Sequence, residues 1–315
     1  NTPRIDYSTG AEAFLLEPQS TNLINYSNYI TSINNVTVSY NAAESPEGEL
    51  NAPIFTATST DPFVRSATFS ITTGNTYTMS FYIKGFGTSV GKTCAASATT
   101  LGGTTFTLTD SWQRISYSGV STSTRTNAQL RIDAPNVGAV VGEQFSVWGL
   151  QVENQSYATS YIPTDGAAAT RNQELCNNAT PVINSEEGTL YAEISALAND
   201  GTIRYLSLSD GTNNNRVTIL YYSSSNNIRM IVSSNGTNYV DKNYGVSSVL
   251  DFHKIAIKYK ENDFALWVDG VEAKTDNSGN APIGLDNLSF SIGGGDSFFG
   301  NTKDLKYYPK ALADV

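Results

Sequence analysis

The chain has 315 residues, only 15% of them charged, with 19 basic against 29 acidic residues and a formal net charge of -10. Globular domains usually carry about a quarter charged residues, so solubility here falls to Ser, Thr, Asn and Gly, and no electrostatic footprint exists for a polyanion. Nucleic acid and anionic membrane surfaces are excluded as partners. One histidine, His253, and two cysteines, Cys94 and Cys176, remove most metal sites, His-based triads and any disulfide framework. The two cysteines lie in different regions, which predicts lone thiols. The length fits two domains of about 100 to 200 residues. No run approaches the roughly 20 apolar residues of a spanning helix, so no membrane insertion is expected. The N-terminus NTPRIDYSTG has neither the basic start nor the apolar core of a signal, and the ends Asn1 and KALADV suggest a piece of a longer protein.

In chain order, an arm over 1–14 is expected to pack on a neighbour rather than form a strand of its own. Period-two alternation then predicts strands at 54–58, 63–71, 77–83, 104–108, 113–120, 128–132 and 144–152. In 77–83, Tyr77, Met79, Phe81 and Ile83 alternate with Thr78, Ser80 and Tyr82. Turn signals such as Thr73-Gly74-Asn75 and Leu101-Gly102-Gly103 separate these runs. Residues 164–186, TDGAAATRNQELCNNATPVINSE, are small and polar without a sustained period and mark a linker between domains at 15–163 and 187–315. The second block predicts strands at 188–195, 203–209, 215–222, 227–233, 252–260, 263–269, 287–292 and 302–308. Hairpins are expected at Glu261-Asn262-Asp263 and at Asp269-Gly270, and the best helix candidate starts at Pro309. Many short strands with frequent turns define an all-β class, two consecutive β-sandwiches of jelly-roll type.

Three separated motifs of the second block, GTLYAEISAL, FHKIAIKYKENDFALWVDGVEA and SIGGGDSFFGNTKDLKYYPKALADV, resemble in order those of laminin-G-like, concanavalin A-like lectin and glucanase sandwiches. His253 stands where such domains commonly carry Trp. In the first block, NLINYSNYI, YTMSFYIKG, SWQRISYSG and FSVWGLQVENQ resemble the strands of carbohydrate-binding-module jelly rolls with a galactose-binding-like fold. The phrases PRIDYSTG, LLEPQSTNLI and WGLQVENQSYATSYIPT are similar to those of virion appendage proteins of tailed bacteriophages, fibres and head or tail decorations. The resemblance implies an extracellular virion-surface setting, non-enzymatic adhesion to surface glycans, contacts with other virion proteins and a trimeric homo-oligomer. A purely structural decoration of capsid or tail, and a polysaccharide depolymerase fragment, are its alternatives.

The resemblance to glucanases requires a test for paired carboxylates. The nearest match to their E-x-D-x-x-E strand is Glu261-Asn262-Asp263-Phe264-Ala265-Leu266, which lacks the last carboxylate and lies in a hairpin turn. His253 follows Asp251 and Phe252 at a strand entry, without a G-x-S-x-G elbow, and reads as structural. Oxygen-rich loops such as 209–215 could supply a structural calcium, which both resembled families often hold, with Asp210 and Glu17 as the best single ligands. Aromatics make up 11% of the chain. Sugars lay apolar C–H faces on flat rings while amides and carboxylates meet their hydroxyls, so aromatics on a wet face are the ligand candidates. Tyr82, Trp267 and Tyr222 satisfy this, the Tyr221-Tyr222 pair placing one ring on each face, whereas Trp112 is expected in the core.

Overall fold

The structure is a computed structural model that describes residues 4–7, 10–30, 32–135, 138–176, 180–222, 226–292 and 297–313. The chain opens with β1 (Ile5–Asp6) and β2 (Ala13–Leu16). There follow β3 (Ser20–Asn22), β4 (Ser32–Asn34), β5 (Val36–Ala43), β6 (Ala52–Ala57), β7 (Phe63–Arg65), β8 (Phe69–Ile71), β9 (Thr76–Phe86), β10 (Thr93–Ala98), β11 (Gly102–Thr107), β12 (Gln113–Val120), β13 (Arg125–Ala128), β14 (Leu130–Asp133), β15 (Gln144–Glu153) and β16 (Ala169–Arg171). The last ten are β17 (Glu187–Ala196), β18 (Arg204–Ser209), β19 (Arg216–Tyr222), β20 (Asn227–Ser234), β21 (Thr237–Gly245), β22 (His253–Lys260), β23 (Phe264–Val268), β24 (Val271–Asp276), β25 (Asn287–Ser289) and β26 (Gly300–Tyr308). Among the described residues the only helical element is a 3-10 turn at Gly87–Ser89. The helix expected from Pro309 is instead a bend and coil, because its carbonyls go to side chains: Asn184 donates to Pro309 O and Thr189 to Lys310 O.

The chain divides into two units. Gln19–Asn172 forms two antiparallel five-stranded sheets, β12-β9-β15-β6-β5 and β11-β10-β14-β7-β4, with the ribbons β13-β8 and β16-β3. Their alternating residues close one core: Phe55, Met79, Phe81, Ile83 and Phe145 from one sheet meet Val64, Cys94, Leu130 and Ile132 from the other. The expected strand 63–71 is split, since Ser66 turns its N–H to Leu130 O and its hydroxyl to Ala67 O. Strands β5, β10 and β21 carried no sequence expectation; β10, TCAASA, buries small residues whose alternation is faint.

The other unit joins Asn1–Pro18 to Gln173–Val315, with sheets β1-β2-β26-β17-β22-β23-β24 and β21-β20-β19-β18-β25 around a core that includes Leu190, Ile219, Met230, Ile257, Tyr259 and Leu266. The arm therefore differs from expectation. Its residues pair as strands, Ile5 with Phe14 and then Phe14 with Thr302 on the edge of β26. Arg4 fastens it by ion pairs to Glu17 and Glu174 at 3.3 and 2.9 Å. Four residues, AFLL, are too few to show a period, and the pairing partner lies almost 290 positions away, roughly the whole chain. The 164–186 segment contains the division at Asn172/Gln173, and within it Thr170 pairs with Thr21. Both sequence-predicted hairpins form: β22 and β23 join at Asn262 (φ 59°), and β23 and β24 at Asp269 (φ 52°) and Gly270 (φ 83°). Two successive left-handed residues match the twist of tight hairpins, and glycine takes that conformation without strain.

Candidate functional site

Away from the core, the unit Gln19–Asn172 links six aromatic residues through Asn28. Asn22 is fully buried; its Nδ2 donates to Leu150 O and Ile162 O, and its Oδ1 accepts from Ile24 N and Val152 N. All four of its hydrogen-bonding capacities are met, so the loop that follows starts from a fixed point. Ser27 continues the fastening, donating its N–H to Thr164 O and accepting Leu150 N–H at its own carbonyl. From this braced loop Tyr26 and Tyr29 project to solvent with 39% and 51% exposure. Tyr29 stacks on Tyr40 at 6.0 Å with planes 13° apart, and Tyr26 meets Tyr29 edge-on at 6.3 Å. Tyr40 sits where the pairing of β5 with β6 shifts register, beside Asn41 at φ 51°; such a bulge re-aims side chains. Its hydroxyl titrates above the ordinary tyrosine value because of burial first and then its hydrogen bond with Tyr29.

Asn28 links this trio to a second aromatic group. Its Oδ1 accepts from Tyr161 OH at 2.8 Å and from Gly149 N at 3.2 Å, which leaves its Nδ2 uncommitted among the described residues. Tyr161 packs on Trp148 at 4.5 Å, and Trp148 meets Tyr82 edge-on at 5.9 Å, with Arg114 over the Tyr82 ring at 5.5 Å. Register explains the line: Arg114 opposes Tyr82, and Tyr82 opposes Trp148, across three neighbouring strands. Burial pushes the Tyr161 phenol up to about 12. Gly149 lies at φ 65° in the β15 irregularity, where an added Cβ would stand 3.2 Å from Tyr82 and 3.4 Å from Tyr161; only glycine admits both the backbone and the rings.

Of the three rings expected from sequence, Tyr82 lies in this unit, and Trp267 and Tyr222 lie on different sheets of the other. Tyr82 does lie on the face opposite the core, but it is partly buried, because Trp148 and Arg114 cover part of it and Arg114 is itself held by Thr159 O at 2.6 Å. Trp267 lies on the other unit's larger sheet, in the register row Lys306–Tyr191–Ala256–Trp267–Glu272. Ala256 separates two aromatic rings two strands, or roughly 10 Å, apart. Tyr222 ends β19 on that unit's other sheet, with Arg229 over its ring at 4.9 Å, while Tyr221 is buried and donates to Ile194 O. Trp112 is only partly buried and donates to Glu44 O, contrary to the expected core position.

Asp210 and Glu17 follow strands of different sheets of their unit, β18 and β2. Asp210 Oδ1 accepts from Thr212 N and Oγ1, and Oδ2 from Asn215 Nδ2. Burial raises its carboxyl pKa, but these bonds outweigh it and leave the group below the ordinary range. Glu17 is buried and faces the Arg4 guanidinium. Among the described residues no three His, Cys, Asp or Glu side chains gather as a metal site. Both His253 nitrogens are engaged, Nδ1 by Asp269 Oδ2 at 2.7 Å and Nε2 by Ser248 O at 2.9 Å, which leaves neither for a serine hydroxyl. Asp263 pairs with Lys258 at 2.8 Å in its turn. Both cysteines are free thiols, Cys94 buried and Cys176 exposed. No helix of the described residues is long and apolar enough to cross a membrane.

Sequence reasoning missed Tyr26, Tyr29 and Tyr40. The signal was the interleaving of rings and amides in Asn25-Tyr26-Ser27-Asn28-Tyr29, which looks like an ordinary strand edge until the loop is seen braced in solvent.

The two units are all-β and sandwich-like, a fold of the laminin G or jelly-roll kind. Residues 163–314 match the laminin G family of the concanavalin A-like lectin/glucanases superfamily, so the C-terminal part carries a laminin G-like lectin domain. Among solved structures, the chain is similar to domains LG4-5 of the mouse laminin alpha1 chain, with 10% identity, 82% of this chain and 92% of that one covered, and a TM-score of 0.32. It is also similar to the tripod (BppUct-A-L) from the baseplate of bacteriophage Tuc2009, with 15% identity, 77% and 97% covered, and a TM-score of 0.27. No curated protein matches the sequence.

Proposed function

We propose that this chain is a non-enzymatic glycan-binding protein of a virion surface. The exposed stack of Tyr29 on Tyr40, with Tyr26 beside it and the Asn28 amide at its edge, carries the reading. Flat rings in solvent next to an uncommitted amide donor suit the C–H face and hydroxyls of a saccharide, and the bracing by Asn22 and Ser27 lowers the ordering cost on binding. The lectin-like domain supports the same chemistry, with the Tyr191–Ala256–Trp267 row as a second contact. The virion setting rests on the resemblance of PRIDYSTG, LLEPQSTNLI and WGLQVENQSYATSYIPT to phage appendage proteins. A mechanism of adhesion without covalent change fits the engaged His253 and the ion-paired Asp263. Individual contacts are weak, and repeated copies on one particle raise avidity by about 100- to 10,000-fold where geometry allows simultaneous contacts.

A glycan array, read with the isolated chain and with a multimerised form, tests this. Binding is expected in the multimerised form and is expected to disappear in Tyr29→Ala/Tyr40→Ala with the fold intact. A blank array in both formats would overturn the proposal in favour of a decoration that binds other virion proteins.

A further inference from the structure

On the outer face of β11-β10-β14-β7-β4, the register places Ser97, Arg131, Arg65 and Ser32 in one row across four strands. Above this row lies a cavity of about 500 Å³, lined by Arg65, Arg125, Arg131, Asn127, Gln129 and Ser97 among others. Its charge is out of proportion to its surroundings. The unit Gln19–Asn172 contains five arginines (65, 114, 125, 131 and 171) and two lysines (84 and 92), seven cations in all, and three of them converge here.

The three arginines play different parts. Arg131 is locked by Asp133 through its Nε at 2.9 Å and its Nη2, has Asp61 at 3.9 Å, and lies 3.8 Å over the Phe63 ring. Arg65 stacks on the same ring at 4.6 Å, so both guanidinium groups are held in place before any ligand arrives. Among the described residues the Arg125 guanidinium hydrogen-bonds to Ser123 Oγ, at 3.3 Å. Among the described residues neither Arg65 nor Arg125 has a carboxylate partner. The two nearby carboxylates both serve Arg131, which leaves the Arg65–Arg125 side positive. Charges more than about 10 Å apart are largely screened at 0.1 M salt, so the chain's net charge of -10 does not cancel a charge in direct contact with a ligand.

We propose that this groove binds the oxyanion of an acidic saccharide, a carboxylate or phosphate ester, between Arg65 and Arg125, with Arg131 as a fixed wall. Planar guanidinium groups match such oxyanions bidentately, and Ser97, Asn127 and Gln129 supply hydroxyl and amide groups for the sugar. The volume is within the range of small-ligand sites. The saccharide part of the assignment rests on the glycan-binding reading; the oxyanion part rests on the groove alone. The site is built for single charged groups on a sugar, which the tyrosine surface, with its neutral rings, does not select.

The test is calorimetric titration of the full chain with a uronic-acid oligosaccharide, a sugar phosphate, a neutral oligosaccharide of equal length and inorganic phosphate, at low and high salt. Both acidic sugars are expected to bind, more weakly at high salt. Arg65→Ala and Arg125→Ala should each weaken this by about tenfold or more, the loss of a hydrogen bond to a charged group. Arg65→Lys should restore part of it, which guards against misfolding of the alanine variant, and Tyr29→Ala/Tyr40→Ala should leave it intact. Equal binding of acidic and neutral sugars, or indifference to both arginines, would overturn the proposal even if tyrosine-dependent glycan binding persists. Arginine-dependent acid binding beside a blank neutral array would overturn the tyrosine reading and leave the groove standing. Inorganic phosphate binding as tightly as the sugar phosphate would overturn the saccharide assignment.

Discussion

Glu153→Gln is the most informative single change in the framework of the aromatic surface. Glu153 is fully buried at the end of β15. Its Oε1 accepts from Ser20 Oγ at 2.6 Å, from Gln155 Nε2 at 3.2 Å and from Thr159 Oγ1, and its Oε2 accepts from Thr159 N at 3.0 Å. An amide has one oxygen. Placed to keep the three bonds at Oε1, it points NH2 at the Thr159 N–H, so one charge-assisted bond is lost and a buried donor faces a donor. The first loss amounts to about 1.5–3 kcal/mol and the unsatisfied group to about 1–3, giving roughly 2.5–6 kcal/mol. For a unit of this size each kcal/mol moves the midpoint by about 2–4 °C, so scanning calorimetry should show a fall of roughly 5–24 °C in one of the two units' transitions. Thr159 O also holds Arg114 over Tyr82, so the same variant should disturb glycan binding. A shift below about 2 °C would refute the view that this carboxylate braces the segment carrying Tyr161.

Gly149→Ala should lower the urea midpoint by an amount equivalent to about 1–2 kcal/mol for a left-handed alanine, and change Trp148 emission as Tyr82 and Tyr161 are displaced; an unchanged midpoint would contradict the tight approach. Tyr161 is pushed up to about 12, and burial also raises Tyr221 and Tyr259 above the ordinary value. Between pH 10 and 12 the unfolded chain releases protons that the fold retains, so stability should fall as pH rises, and Tyr161→Phe should flatten that slope in pH-dependent denaturation. Cys176 should react with a maleimide in the native state and Cys94 only after unfolding, read by mass spectrometry; prompt double labelling would contradict the buried position of Cys94.

Strand formation was legible in most long alternating runs, though not in β5, where Val36-Thr37-Val38-Ser39-Tyr40 also alternates. The expected 113–120 is β12 in full, and 144–152 is β15 short of one residue. Faint or short patterns were not legible: β10 is built of small residues, and β2 has only four. Among candidate rings, the face of Tyr82 was readable from its strand, but its cover was not, since Trp148 and Arg114 reach it from β15 and β12. Tyr29 and Tyr40, eleven positions apart in sequence, stack only because a braced loop and a bulged edge strand meet.

Alternation and paired turn residues such as Asp269-Gly270 are local properties of the chain, so the sequence alone determined the all-β class. Tertiary structure decided which strands became neighbours. That choice attached the arm to β26, placed Trp267 and Tyr222 on different sheets of one unit, and turned three arginines scattered over residues 65–131 into one groove. Register between distant strands is set by the packing of whole faces, and no window of sequence contains both partners.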